Sequence, residues 1–269
     1  LYIFKPFIFL QKKLTFLYKI FIMLIKLKLK NVALIEIIEI NFEKGLNILT
    51  GDSGSGKSLI LDSLNVLFIG NSYTYYNNLP DIISSIANSM GNNLYAEGSL
   101  IGGATFQSHV NNNTTNDLIM DGNWDFVVLQ EQSQYPSFPL WQVEQEVFPY
   151  ANQLNELIHE YNECGNTVFF MTWGRENGDD MNCPNWPPVC TYEGMDDLLR
   201  ERYIIMANDN NAIISPVGAV WRYLRDNEYD IDLYSTDGSH PSLLGSYVAA
   251  VSFYTTLFQA NPLEISWDP

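Results

Sequence analysis

Val66-Leu67-Phe68-Ile69-Gly70-Asn71-Ser72-Tyr73-Thr74 places an apolar run directly against a glycine and a serine. The run reads as a strand, and the hydroxyl of Ser72 then stands at its end. Far downstream, Asp237-Gly238-Ser239-His240-Pro241 sets an acid and an imidazole three residues apart. A serine hydroxyl is a weak nucleophile until a base takes its proton, and the base needs an acceptor that orients it. Ser72, His240 and Asp237 supply all three groups, in the chain order Ser, Asp, His.

Between these two stretches the pattern alternates. Strands are expected at 66–70, 93–97, 125–130, 167–172 and 212–214. Helices are expected at 79–90, 141–162, 195–208, 216–226 and 241–258, the second opening after Pro139. Strand, helix, strand in succession implies parallel pairing with helices on both faces of the sheet. Asn111–Asn116 reads as a polar loop, and residues 173–194 as an ordered surface loop above the strand ends. Pro241 is expected at the first position of the last helix, where its missing N–H does no harm.

Two further segments end near strands. Ile101-Gly102-Gly103 follows the second strand, where a glycine N–H can face an oxyanion; Gln130-Glu131-Gln132 follows the third, where a side-chain amide can do the same. Such donors are worth ~3 kcal/mol each in a transition state. Which glutamine serves, Gln130 or Gln132, stays open at this point. His109, near Gly103, is read as a structural hydrogen-bonding group in preference to a substrate contact, and Glu131 as a solvated or network group in preference to a second acid. Trp173, Trp186 and Tyr192 offer either a stacking face for a sugar ring or simple loop packing, and Arg175 beside them is suited to an anionic substrate.

Upstream the chain changes character. All nine lysines lie at or before Lys57, and all five arginines at or after Arg175. Seven lysines and no acid fall within residues 1–30, leaving seven basic against 31 acidic groups in residues 31–269, a net of −24. That body repels a phosphate backbone, so nucleic-acid binding by the main domain is disfavoured. The break in lysine usage points to two segments of different origin, joined near residues 64–68.

Residues 1–22 are apolar but interrupted by Lys5, Lys12, Lys13 and Lys19. No stretch reaches the ~18 apolar residues of a membrane span, and no clear signal peptide stands out. With Met23 the first methionine, they are read as upstream sequence in preference to an anchor. Cys183 and Cys190 bracket a proline-rich loop and can bridge if the domain is exported. The scattered histidines (His109, His159, His240) do not have zinc spacing, so no metal site is expected.

Residues 24–41 alternate with period two, hence two strands; a third follows at 46–49, then Gly51-Asp52-Ser53-Gly54-Ser55-Gly56-Lys57-Ser58, then a short helix at 57–64. That octet matches the phosphate-binding loop in full. Its glycines (Gly51, Gly54, Gly56) turn backbone N–H groups towards phosphate, Lys57 reaches the terminal phosphates, and Ser58 ligates magnesium. Residues 23–67 resemble the amino terminus of RecN, the bacterial double-strand-break repair ATPase with an SMC-like head. The likeness runs through Met23-Leu24-Ile25-Lys26, Asn31-Val32-Ala33-Leu34-Ile35, Gly45-Leu46-Asn47-Ile48-Leu49-Thr50-Gly51 and Gly56-Lys57-Ser58. It implies ATP and magnesium as ligands if the segment is functional. The rest of such an ATPase is missing: no heptads follow, and Phe126-Val127-Val128-Leu129-Gln130-Glu131 has Gln where a magnesium-binding Asp is wanted.

Residues 66–269 resemble the SGNH (GDSL-like) hydrolases at Gly70-Asn71-Ser72, Gly103 and Asp237-x-x-His240. The third block departs from the pattern, with Gln130-Glu131-Gln132-Ser133 where the family shows Gly-x-Asn-Asp. The resemblance implies a flavodoxin-like, three-layer α/β/α fold, to which the β-rich phosphate-loop fragment is appended. It also implies hydrolysis of an ester or related acyl bond, without metal or other cofactor. The substrate expected is a small-molecule or carbohydrate ester, the carbohydrate on the aromatic loop of Trp173, Trp186 and Tyr192 alone. Ser72 would be the nucleophile, His240 the base and Asp237 its orienter, and Ser72, Gly103 and a glutamine the oxyanion donors. The division expected is 1–22, 23–65 and 66–269. The rivals are a nucleotide-binding repair protein and a non-catalytic binding module on the same fold.

Overall fold

The computed structural model describes residues 26–32, 35–41, 63–227 and 231–267. Lys26–Val32 (β1) and Ile35–Asn41 (β2) are the two strands expected over 24–41, and they pair antiparallel with Leu29 opposite Ile38. The third strand at 46–49, the phosphate loop at 51–58 and the short helix up to residue 62 lie outside the described residues.

Five parallel strands form the main sheet: β3 (Ser63–Gly70), β4 (Asn93–Leu100), β5 (Phe126–Leu129), β6 (Asn166–Phe170) and β7 (Ile213–Ser215). Their spatial order is β4-β3-β5-β6-β7, the flavodoxin-like doubly wound arrangement. β3 begins at Ser63, so residues 63 and 64, expected at the end of a helix, are strand. They pair with Asn93 and Leu94, and the next residue, Asn65, donates its N–H to the Asp125 carboxylate at 2.8 Å.

Successive residues of β3 point to opposite faces, and Val66, Leu67, Phe68 and Ile69 are all fully buried. Burial on both faces is what a central parallel strand requires. Val66 and Phe68 pack under Leu79–Ser89 (α2), Val217–Asp226 (α8) and Leu243–Phe258 (α9). Leu67 and Ile69 face the opposite layer: Phe106–Val110 (α3), Asn113–Met120 (α4), Leu140–Glu146 (α5), Phe148–Tyr161 (α6) and Tyr192–Asp209 (α7). A single turn, Ser72–Tyr75 (α1), follows β3 directly.

Three expectations are corrected. The helix expected over 141–162 is two helices, broken at Val147 (φ −122°) because Pro149 lacks an N–H and crowds the preceding turn. The polar stretch 111–116 is not a loop: Asn112 caps α4 by accepting from the Thr115 N–H at 3.0 Å. Pro241 is not the first residue of the last helix; it pairs with Tyr234 in a short bridge, and Ser242 caps α9.

Among the described residues, no helix is long and apolar enough to cross a membrane. Cys183 and Cys190 are joined in a disulfide, and Cys164 is free and exposed.

Candidate active site

The sheet order reverses at β3, which has β4 on one side and β5 on the other, and ligands in such sheets bind beyond the strand ends at that point. The loops after β3, β4 and β5 meet there around an open cleft of ≈ 130 Å³. Ser72, Gly103, Gln132 and His240 line it.

Ser72 is the first residue of α1, and Asn71 caps that turn by accepting from the Tyr73 N–H at 3.2 Å. The Asn71 amide also donates to the Ala104 carbonyl at 2.9 Å, tying the serine turn to the glycine loop. A Cβ at position 70 would come within 2.7 Å of Gln130 Oε1 and 2.8 Å of Thr74 Oγ1. Only glycine lets the strand end approach the Gln130 amide so closely.

From the other end of the chain, His240 Nε2 lies 2.8 Å from Ser72 Oγ, and His240 Nδ1 lies 2.5 Å from Asp237 Oδ2. The other Asp237 oxygen accepts from Ser235 Oγ at 2.8 Å and from the Ser239 and His240 N–H groups at 2.9 Å each. Burial alone would raise this carboxyl. The hydrogen bonds from the His240 ring, the two N–H groups and Ser235 outweigh it and hold the acid well below the usual carboxylate range. Asp237 is therefore ionised wherever the protein is folded near neutrality.

The loop carrying these residues is fixed from below. Trp173 Nε1 donates to the Ser239 carbonyl at 3.1 Å, and the Glu176 N–H donates to the Gly238 carbonyl at 2.8 Å. Tyr73 stacks on Trp173 with ring centres 4.8 Å apart, and its hydroxyl meets Ser239 Oγ at 2.7 Å.

Gly103 has φ +69°, a left-handed conformation that an L side chain adopts only with strain. Among the described residues neither its N–H nor that of Ser72 has an acceptor, so both are free to receive one. The two glutamines separate cleanly. Gln130 is fully buried, and its oxygen accepts from the Asn71 N–H and Thr74 Oγ1, both at 2.9 Å. Its amide donates to the Glu131 carbonyl, so Gln130 is part of the scaffold. Gln132 lines the cleft, with its oxygen held by the Gln134 N–H at 2.7 Å and its amide nitrogen 3.2 Å from Gln134 Oε1.

The bland readings of His109 and Glu131 hold. His109 is fully buried between Thr115 Oγ1 and the Gly70 carbonyl, both at 3.0 Å, and burial pushes its imidazole down. Glu131 is fully buried; its carboxylate accepts from the Phe106 N–H at 3.1 Å and the Gln132 N–H at 2.6 Å. It thus joins the loop after β4 to the loop after β5. Burial pushes its carboxyl up to about 8, against the pull of those two N–H groups.

A carboxyl whose folded value lies above its ordinary 4.5 contributes stability that is complete below that value. The contribution is lost as pH rises towards about 8, at about 1.4 kcal/mol for each pH unit between the two values. Glu131→Gln is accordingly expected to flatten the fall in Tm between about pH 5 and about pH 8 in scanning calorimetry. An unchanged slope would assign the fall elsewhere.

The aromatic loop is not a sugar-stacking face. Trp173 is fully buried and stacks at 3.8 Å on Trp221. Tyr192 is 3 % exposed beneath the Arg225 guanidinium, and Trp186 donates its indole N–H to the Ser137 carbonyl at 2.9 Å. The half-exposed aromatic at the site is instead Tyr76, whose ring stacks on His240 at 4.7 Å. Next to it, Asn77 donates to the Pro241 and Ser242 carbonyls and Ser246 Oγ at 3.0–3.1 Å, clamping the serine segment to the histidine segment. Neither residue was singled out from sequence. The Asn77-Asn78 pair, with φ +54° and +55°, was the available signal, because asparagine tolerates left-handed turns. Among the described residues no group of three His, Cys, Asp or Glu side chains is placed to hold a metal ion.

Solved structures of the same fold are numerous. A DUF4886 family protein from Bacteroides uniformis superposes with a TM-score of 0.63 at 19% identity, over 77% of this chain and 88% of its own. A candidate SGNH hydrolase from Slackia heliotrinireducens gives 0.58 at 24% identity, over 73% and 100%. An acetylxylan esterase from Geobacillus stearothermophilus gives 0.52 at 16% identity, over 76% and 95%.

The amino-terminal part is similar to different proteins. An AAA domain model matches residues 26–134, which run from β1 through β5 and into the loop beyond. RecN of Synechocystis is 52% identical over 48 residues, and RecN of Bacillus subtilis 48% over 48; each match covers 18% of this chain. The chain spans 8% of the length of these curated relatives. The chain thus joins a short RecN-like segment to a domain whose sheet order, helical layers and solved neighbours are those of the SGNH hydrolase fold.

Proposed function

We propose that the five-stranded domain is a serine hydrolase of SGNH type that cleaves an ester. The observation that carries this reading is the line Asp237 Oδ2, His240 Nδ1, His240 Nε2, Ser72 Oγ, with links of 2.5 and 2.8 Å opening on a cleft. Ser72 Oγ attacks the ester carbonyl carbon while His240 Nε2 takes its proton. Asp237 accepts the Nδ1–H and stabilises the imidazolium that forms. The tetrahedral oxyanion is received by the Ser72 and Gly103 N–H groups and by the Gln132 amide. Collapse expels the alcohol, which leaves with the proton from His240. Water then attacks the acyl-serine with the same base, releasing the carboxylic acid and restoring Ser72.

A cleft of ≈ 130 Å³ suits a short acyl group. The fold shared with an acetylxylan esterase supports acetylated carbohydrate as the alcohol half to try first. The test is hydrolysis of p-nitrophenyl acetate and acetylated xylooligosaccharides, with fluorophosphonate labelling of Ser72. Turnover with labelling is expected. No turnover on a broad acyl panel, together with an unlabelled Ser72, rejects the enzyme reading and favours a binding module.

A second reading concerns the amino-terminal segment alone. Its identity to RecN over 48 residues supports phosphate binding by Gly51–Ser58. Magnesium-dependent ATP binding, lost in Lys57→Ala, is the expected calorimetric result; no binding by the wild type would sink it.

A further inference from the structure

Building on the hydrolase reading, we propose that Arg175 selects esters carrying a carboxylate or similar anion close to the scissile bond. Among the described residues that line the cleft, Arg175 is the one permanent cation, and the others are neutral groups and His240. The other arginines that make contacts are engaged away from the cleft. Arg222 is held by Asp196, Asp197 and Asp226, Arg202 by Glu201, and Arg225 lies over the Tyr192 ring and donates to the Glu176 carbonyl.

The guanidinium of Arg175 is only partly used. Its side chain is 26% exposed, and its protein partner is Asp179 Oδ1, reached by Nη1 at the long distance of 3.3 Å. Among the described residues its Nε is buried with no partner. Asp179 does not consume the charge. That carboxylate is fully buried, and its other oxygen already accepts from Gln134 Nε2 at 2.7 Å and Asn182 Nδ2 at 2.6 Å. Asp179 therefore anchors the arginine from behind, while the side chain lines the cleft.

Position strengthens the case. Arg175 follows Trp173 and Gly174, and the Trp173 indole holds the Ser239 carbonyl beside His240. The cation is thus fixed by the same loop that fixes the base. A guanidinium offers a planar fork that fits a carboxylate with two parallel hydrogen bonds. In a chain of net charge −17, long-range attraction does not draw anions in. Selection for a charged ester has to come from a local contact of this kind.

The experiment compares matched esters by kcat/KM. One pair differs on the acyl side, p-nitrophenyl hydrogen glutarate against p-nitrophenyl valerate. The other differs on the alcohol side, m-acetoxybenzoate against its methyl ester. In at least one pair the wild type is expected to favour the charged ester by about 10-fold to 100-fold, the worth of a charge-assisted hydrogen bond. Arg175→Gln is expected to bring that ratio to one or below, Arg175→Lys to keep part of it, and Arg175→Glu to invert it. Should Arg175→Gln unfold because Asp179 is left buried and unpaired, Arg175→Gln with Asp179→Asn removes both charges and reports the same ratio. A ratio unchanged by these variants, or a wild type that prefers the neutral ester in both pairs, overturns the inference while leaving the hydrolase reading intact. Failure to cleave any of the four esters by a protein that hydrolyses p-nitrophenyl acetate overturns the inference alone, whereas failure on the broad acyl panel with Ser72 unlabelled overturns both.

Discussion

Ser72→Ala is expected to lower kcat/KM for p-nitrophenyl acetate by about 10⁴-fold to 10⁶-fold, with Tm almost unchanged. Among the described residues the hydroxyl has one partner, His240 Nε2 at 2.8 Å, and the backbone of α1 is held by other groups. Asn71 caps the turn, and Gln130 takes the Asn71 N–H. Losing the oxygen therefore removes the attacking atom without loosening the strand end that presents it. The oxyanion donors remain, so a residual rate above water is expected from binding and electrostatics alone. Stopped-flow release of p-nitrophenolate checks it. A variant as fast as the wild type would place the chemistry on another residue.

Asp237→Asn is expected to cost about 10²-fold to 10⁴-fold in kcat, again with the fold intact. One Asp237 oxygen gathers three donors, from Ser235, Ser239 and His240 backbone, while the other accepts the His240 Nδ1–H. An asparagine oxygen satisfies the three donors, which turns the amide nitrogen towards His240. A donor there requires Nδ1 to accept, so the ring proton moves to Nε2. That nitrogen then faces Ser72 as a donor and cannot take its proton. Because Asp237 is 47% exposed, water competes for the imidazole, which makes the lower end of the range reachable. Unchanged kcat would mean that Asp237 shapes the loop and nothing more. Nitrogen-15 shifts of the His240 ring distinguish the two tautomers directly.

The two residues at the ends of this argument were legible because each sits in a short local pattern. Val66–Ile69 followed by Gly70 and Ser72 marks a strand and its exit, and Asp237 and His240 share one turn. Parallel pairing with helices on both faces was legible from the alternation of strands with helices, whereas the flavodoxin-like arrangement came from the family resemblance. What failed at sequence level failed for local reasons that packing overrode. Asn111–Asn116 has turn composition, yet the Asn112 cap and the Thr115 contacts with Ser99 and His109 make a helix there. Trp173 and Tyr192 fall in the stretch read as a surface loop, yet Tyr192 opens α7 and both rings are drawn inward by Trp221, Tyr73 and Arg225.

Covalent order alone determined which groups could attack, accept and orient, because the character of a hydroxyl, an imidazole and a carboxylate travels with the residue. Only the tertiary structure decided that Ser72 and His240, 168 positions apart, meet at hydrogen-bond distance. It alone sent Gln130 into the scaffold and set Gln132 and Arg175 in the wall of the cleft. The physical reason is that these outcomes depend on which strand ends converge and on what fills the space between them. That is a property of the packed layers and not of any stretch of chain.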